Sequence, residues 1–123
     1  MAFFVTHEAL LAGAELVVLH VQPALPPRVQ GFVGAKTVAE YHEEEAAKVL
    51  APIEEFLKRH GCQFRCQWVV GHPAEEIVQA SVRDGAHMIV MGTHGYGLLG
   101  RAVMGSVAQN VISRSEIPVV LVK

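Results

Sequence analysis

Short runs of apolar, β-branched residues alternate along the chain with longer segments whose apolar residues recur at helical spacing. Four runs predict strands, and three of these are apolar at nearly every position, as is typical of parallel strands covered on both faces. Gln63–Val70 instead alternates apolar with polar residues, which predicts an edge strand with one wetter face and with Phe64 and Trp68 in the core. The predicted strands are Ala14–Val21, Gln63–Val70, His87–Met91 and Ile117–Val122.

Amphipathic segments separate these strands. Val38–His60 carries an apolar stripe, with Thr37 as a candidate cap, Gly61 as a C-terminal stop and Pro52 as a kink or a break. The other two predicted helices are Pro73–Asp84 and Gly105–Ser115.

Two segments fit this alternation less simply. Gln22–Lys36 holds three prolines and two glycines and is predicted to be a mobile connection. The N-terminal segment is too short for a strand and a crossover helix. We expect Ala2–Leu11 to form one helix packed on the sheet; a short strand at Ala2–Val5 with a vestigial turn after it is the alternative.

The resulting order of elements predicts an α/β domain with a doubly wound parallel sheet and right-handed crossovers. A length of 123 residues suits a single domain covering the whole chain, 1–123. Hydrophobic residues make up 51% and charged residues 18%, which is a globular composition.

Composition and charge also argue against nucleic-acid and membrane partners. The net charge is −2 and Lys and Arg form no cluster, so a nucleic-acid partner is not expected. No apolar stretch approaches the roughly 20 residues that span a bilayer, and no leader pattern is visible, so a cytoplasmic protein without a membrane partner is expected. Cys62, just before the predicted strand Gln63–Val70, and Cys66 within it would lie about 13 Å apart in extended chain, too far for a disulfide with each other. Strand residues in a reducing compartment are favoured over a metal or redox role.

The segment from Met91 to Ile112 is the strongest candidate for a binding site. A predicted strand leads there into a glycine-rich loop, which ends at Gly105-Ser106, where a predicted helix begins. The first amides of a helix have no partner inside it, and the helix dipole adds partial positive charge there. Glycines let the main chain approach a phosphate closely. The pattern therefore predicts a phosphate-bearing ligand, and a nucleotide in particular.

These residues resemble a known family. The spacing Gly92-x2-Gly95-x9-Gly105-Ser106 is similar to that of nucleotide-binding universal stress protein domains. The segment 13–21 (GAELVVLHV) resembles the family's second strand, 71–77 (GHPAEEI) a helix start, and 117–122 (IPVVLV) its closing strand. The resemblance covers about Ala14 to Lys123. It implies a Rossmann-like, adenine nucleotide alpha hydrolase-like sheet of five parallel strands in the order 3-2-1-4-5, with ATP, possibly accompanied by Mg²⁺, at the carboxyl ends of the strands.

The resemblance also implies a role for each matching residue. Val21 would contact the adenine, and Met91 would lie under the nucleotide. Gly92 and Gly95 would lie against the phosphates and ribose, and His94 would flank the phosphate chain. Gly105 and Ser106 would offer amides and a hydroxyl to the phosphates, and Val107 would add a further amide.

One departure affects this site. The family opens with a strand that ends in an Asp which helps to hold the nucleotide, and the sequence before Ala14 resembles only the helix after that strand. Since the missing strand is the central one, three explanations are open: the sheet closes up, a partner chain fills the slot, or the chain is truncated. We therefore expect either a dimeric stress-response regulator that binds ATP or a related adenine nucleotide, or an interaction protein of the same fold with a vestigial site.

The sequence gives less support for metal binding or catalysis than for nucleotide binding. The histidines apart from His94 are expected to be solvated or at strand ends, and no spacing suggests a metal site. Ser106 lacks the surroundings of a nucleophile and fits a cap or a phosphate contact. The loop has no carboxylate, so slow ATP hydrolysis is a third and less favoured hypothesis. Finally, the apolar edge Ile117–Val122 is expected to pair with a second copy in a homodimer, as the resemblance implies.

Overall fold

The computed structural model of the chain describes residues 13–93 and 104–122. These residues form a unit that ends at Val70 and a unit that begins at Gly71. The strands are β1 (Leu16–Gln22), β2 (Phe64–Val70), β3 (Ile89–Gly92) and β4 (Val119–Val122), and the helices are α1 (Pro27–Val33), α2 (Ala35–Arg59), α3 (Pro73–Arg83) and α4 (Ser106–Arg114).

The first unit is built on two parallel strands. β1 pairs with β2 in a register that runs from Leu16 opposite Phe64 to Gln22 opposite Val70. Helix α2 packs against both strands. It buries a stripe of residues at helical spacing, namely His42, Ala46, Leu50 and Leu57.

The connection after β1 differs from the prediction. It contains a helix of seven residues, α1, and the long helix begins at Ala35, so Thr37 lies inside α2 and is not its cap. Proline at the first helical position favours a helix start, and Pro27 supplies it. Gly34, with φ 87° and ψ 159°, separates the two helices in a conformation that is essentially restricted to glycine. The prolines and glycines therefore punctuate two helices here.

The predicted stop of the long helix is confirmed, whereas the predicted break is not found. Helix α2 runs through Pro52, which lies on its exposed side. At the end of α2, Gly61 has φ 65°, its amide donates to Lys58 O (3.2 Å), and the amide of Cys62 donates to Leu57 O (3.2 Å). This pair of bonds is the Schellman motif. Gly85 ends α3 in the same way, with φ 61°.

The second unit contains the other pair of parallel strands. β3 pairs with β4 from Ile89 opposite Val119 to Gly92 opposite Val122. The predicted last strand begins two residues late because Pro118 cannot donate to the ladder, although its carbonyl oxygen accepts the Ile89 amide at 2.9 Å. Helices α3 and α4 pack on each other, and α4 also packs on β4. The buried apolar residues of this unit are Ala80, Ile89, Ala108 and Val111.

Parallel strands alternating with helices confirm the predicted α/β class. Two details of the strands were wrong. The three strands predicted to be covered on both faces are only partly buried: β1 is half-buried at Leu16–Val21, β4 is half-buried throughout, and Val90 in β3 is exposed. Trp68 has 38% of its surface exposed and is not a core residue. The predicted N-terminal helix lies outside the described residues. Within residues 13–93 and 104–122, no helix is long and apolar enough to cross a membrane.

Candidate functional site

Backbone hydrogen bonds tie together the two ends of the glycine-rich loop. The amide of Thr93, just past β3, donates to Val122 O at 3.0 Å. The carbonyl oxygen of Thr93 in turn accepts the amide of Gly105, the residue before α4, at 2.7 Å. The described residues on either side of the segment 94–103 therefore meet where the carboxyl ends of β3 and β4 lie against the start of α4.

The start of α4 carries amide donors without acceptors. Gly105 is the N-cap residue, with φ −61° and ψ 153°, and no side chain caps the helix. The first amide bonded along the helix is that of Gln109, which donates to Gly105 O at 3.1 Å. Within the described part of the chain, the amides of Ser106, Val107 and Ala108 have no acceptor. Three such amides, together with the helix dipole, can hold an anionic group such as a phosphate.

A groove of about 310 Å³ opens beside this helix start. A volume of this size is at the lower end of small-molecule sites. One wall is the first turn of α3 with the residue before it, and the other is the face of α4 that runs from its first residue to its last. The lining residues are His72, Pro73, Ala74, Glu75, Ser106, Val107, Asn110 and Arg114.

The charges in the groove offset each other. Arg114 Nη1 lies 3.3 Å from Glu75 Oε1, and both side chains are about half exposed. Asn110 Nδ2 donates to Ser106 O at 2.9 Å, so its amide group is held along α4. A carboxylate close to a phosphate site would repel the ligand, and pairing with Arg114 reduces that repulsion. At this exposure such a pair contributes only about 0–1 kcal/mol to folding.

The structure brings together part of the predicted set. Ser106 and Val107 line the groove, whereas Met91 and Gly92 lie at the end of β3 and do not line it. Val21 belongs to β1 in the first unit. His94 and Gly95 lie outside the described residues.

Gly105 has a partner within the protein. Its amide was expected to face a phosphate, but that amide is already bonded to Thr93 O, and Gly105 itself is buried. Ser106 was considered as a cap, yet it is the first residue inside α4, and Gly105 occupies the N-cap position. The available donors are therefore displaced by one residue along the chain.

Sequence reasoning missed most of the groove. The helix start at His72-Pro73 was recognised as a helix start, but nothing in the sequence indicated that it faces Ser106. The spacing of Ser106, Asn110 and Arg114, four residues apart each time, was the signal that could have placed these side chains on one face of α4. The histidine prediction also failed at His42, which is 4% exposed and is the subject of a separate contact with Gln22.

The fold and the helix start define an α/β protein with a strand, a glycine-rich loop and a helix in succession, the arrangement that open α/β domains use for phosphate-bearing ligands. The sequence pattern of the universal stress protein family matches residues 2–123. The chain belongs to the universal stress protein family.

Two relatives from Methanocaldococcus jannaschii are similar to the chain. Universal stress protein MJ0531 is 34% identical over 101 residues, which cover 77% of this chain and 59% of that protein. Universal stress protein MJ0577 is 40% identical over 80 residues, which cover 65% of this chain and 49% of that protein. The matches thus span between about half and three fifths of each relative's length.

Solved structures show the same fold. The structure of hypothetical protein MJ0577 has a TM-score of 0.76 at 34% identity and covers 92% of this chain and 78% of its own. The Archaeoglobus fulgidus universal stress protein in complex with dAMP has a TM-score of 0.62 at 24% identity, covering 98% of this chain and 82% of its own. A universal stress protein in complex with cAMP has a TM-score of 0.59 at 22% identity, covering 89% and 73%.

Proposed function

We propose that the chain binds ATP or a related adenine nucleotide and acts as a cytoplasmic, dimeric regulator in a stress response. The observation that carries the proposal is the set of three amides at Ser106, Val107 and Ala108, which have no acceptor among the described residues and directly follow the hydrogen bond between Gly105 and Thr93. These donors would hold phosphate oxygens, with the Ser106 hydroxyl beside them.

Membership of the family supports an adenine nucleotide over other phosphate compounds. Two proteins of the same fold have been solved in complex with dAMP and with cAMP. Because both are below 25% identity, they support only the statement that this fold can hold such a nucleotide. The resemblance assigns Val21 to the adenine, Met91, Gly92, His94 and Gly95 to the ribose and phosphates, and Ser106 and Val107 to phosphate donation. Since the Gly105 amide is bonded to Thr93 O, Gly105 contributes to this set as the residue that closes the loop.

Binding, and not turnover, is the proposed activity. Residues 92–106 contain no Asp or Glu that could hold Mg²⁺ or orient a water molecule. Among the described residues, no group of three His, Cys, Asp or Glu could hold a metal ion. Any Mg²⁺ would therefore arrive with the nucleotide phosphates. For dimerisation we propose the segment Ile117–Val122, in which β4 pairs with β3 along one edge and has no strand partner on the other within the described residues.

The test is a calorimetric titration with ATP on the wild type and two variants at one position. Ser106→Asp adds a negative charge in the first turn of α4, which stabilises the helix by about 0.3–1 kcal/mol and repels a phosphate. Ser106→Asn has a similar size and no charge. We expect Ser106→Asp to melt at an equal or higher temperature than the wild type and to bind ATP at least about tenfold more weakly, a cost of about 1.4 kcal/mol.

The outcomes distinguish a nucleotide-binding protein from an interaction protein with a vestigial site. Affinity retained in Ser106→Asp would place the phosphates elsewhere. If the wild type releases no heat at millimolar ATP, the second function is favoured, namely an interaction protein with a vestigial site. The bond between the Gly105 amide and Thr93 O is compatible with that function as well.

A further inference from the structure

The groove beside the start of α4 holds one strongly basic side chain, and that side chain is already paired. Of the eight described residues that line the groove, Arg114 is the only Lys or Arg. Its Nη1 lies 3.3 Å from Glu75 Oε1, and the two side chains are 49% and 46% exposed. All eight belong to the second unit. Within the described part of the chain, the groove therefore offers amides to an anion but no Lys or Arg whose charge is uncompensated.

The amides and the ion pair belong to different parts of the groove. Ser106 is the first residue of α4 and Arg114 is the last, so their backbone positions are about 12 Å apart along the helix axis. Asn110 lines the groove between them, with its Nδ2 bonded to Ser106 O at 2.9 Å. A phosphate held at the start of α4 thus lies away from the ion pair, and a longer phosphate chain directed along the groove approaches the Glu75 carboxylate.

This arrangement distinguishes ligands by the number of their phosphate groups. A single phosphate monoester has three terminal oxygens, which the three amides at the start of α4 can satisfy. Each further phosphate brings more negative charge toward Glu75. In water, two like unit charges 5 Å apart weaken binding about fourfold before screening. The Debye length of about 8 Å at physiological ionic strength leaves much of that repulsion in place.

We propose that Glu75 is a specificity-determining residue, which makes the site prefer nucleotides with a single phosphate group over ATP. This inference rests on the proposed function, which places a phosphate at the start of α4. Arg114 acts through Glu75: the pair moderates the repulsion by the carboxylate, and the guanidinium charge is spent on that carboxylate and not on a second phosphate.

The experiment measures the affinities for ATP and AMP by calorimetry without Mg²⁺, so that the phosphates keep their charge. Glu75→Gln removes the carboxylate charge at nearly unchanged size. Glu76→Gln is the matched control, because it removes the same charge from the same first turn of α3 and Glu76 does not line the groove. We expect the wild type to bind AMP more tightly than ATP. We expect the ratio of ATP to AMP affinity to rise at least about threefold in Glu75→Gln and to change less than about 1.5-fold in Glu76→Gln.

Salt and a second variant separate an effect of charge from an effect on folding. In 1 M NaCl the Debye length falls to about 3 Å, so the effect of Glu75→Gln on the ratio should disappear. Arg114→Gln leaves the carboxylate uncompensated and should lower the same ratio at least about threefold at physiological ionic strength.

The failures of the selectivity and of the proposed function are distinguishable. If both nucleotides bind but Glu75→Gln leaves the ratio unchanged, or Glu76→Gln changes it equally, the selectivity by Glu75 is overturned and nucleotide binding stands. If the wild type binds neither nucleotide, the proposed function fails and the selectivity fails with it.

Discussion

The amide of Gly105 donates to the carbonyl oxygen of Thr93 across a distance of 2.7 Å, and this bond joins the two ends of the glycine-rich loop. It connects the end of β3 to the residue that caps α4. The bond occupies one of the amides that the sequence predicts for a phosphate. The same bond fixes the position of Gly105, so the amides without an acceptor begin at Ser106.

Gly105→Pro tests the closing bond. The φ of −61° at Gly105 suits proline, so this substitution removes the donor without straining the backbone at that residue. We expect the bond to Thr93 O to be lost and the free energy of unfolding to fall by about 0.5–1.5 kcal/mol. Gly105→Ala keeps the amide and also introduces a Cβ at this buried position, so it controls for bulk in chemical denaturation. Equal loss in the two variants would show that the hydrogen bond contributes nothing.

Ser106→Pro, compared with Ser106→Ala, separates the amide of Ser106 from its hydroxyl. Proline is favoured at the first helical position, and Gly105, with ψ 153°, already has the extended conformation that a following proline requires. We expect stability to change by less than about 0.5 kcal/mol, whereas ATP affinity falls about tenfold through the lost amide. Ser106→Ala, which removes only the hydroxyl, should cost less in the same titration. If alanine and proline weaken binding equally, the hydroxyl is the group that matters.

Gly71→Ala tests a close approach at the start of α3. A Cβ at Gly71 would lie 2.6 Å from Glu76 Oε1 and 2.9 Å from Glu76 Cγ, so the Glu76 side chain must move. We expect a loss of about 0.5–1.5 kcal/mol in urea unfolding, because the Glu76 side chain must leave its preferred rotamer, and this loss should be largely recovered in the double variant with Glu76→Ala. Gly31→Ala in α1 is the control, because a Cβ there meets nothing within 4 Å. Additive losses in the double variant would mean that Glu76 is not the obstacle.

Stability should also depend on pH through Cys66. Burial raises the pKa of the Cys66 thiol above its ordinary value of 9.0, and Glu54 raises it further through its charge and as a hydrogen-bond partner. The folded chain therefore keeps the thiol proton in a range where the unfolded chain loses it. The stabilisation by the neutral thiol is complete below pH 9.0 and is lost as the pH rises through the raised pKa.

The measurement is the difference in unfolding free energy between the wild type and Cys66→Ser as a function of pH. We expect this difference to shrink above pH 9.0 and to shrink less in a Glu54→Gln background. Glu55→Gln, the same change at the neighbouring exposed position, should leave the curve unaltered. Parallel curves for wild type and Cys66→Ser across this range would contradict the assignment.

The elements that local chemistry determines could be predicted from the sequence. Four strands and three helices appear where apolar spacing placed them, and the stop at Gly61 follows from the need for a positive φ. The predictions that failed concern residues whose surroundings are set by parts of the chain far away in sequence. Trp68 follows a core-like alternation but is partly exposed, and His42 looks like a solvated histidine but meets Gln22 across twenty residues. At the candidate site, the glycine spacing located the start of α4, whereas the bond that consumes the Gly105 amide became visible only in three dimensions.

Helix α1 buries none of its residues, and Phe32 at its end is 91% exposed. Between Pro23 and Gly34 no residue is buried, and Leu25 alone is half-buried. Insertions, deletions or whole replacements there would remove no interior packing. Differences in length among relatives should accumulate in this segment, and a reporter peptide could be grafted into it with little effect on folding.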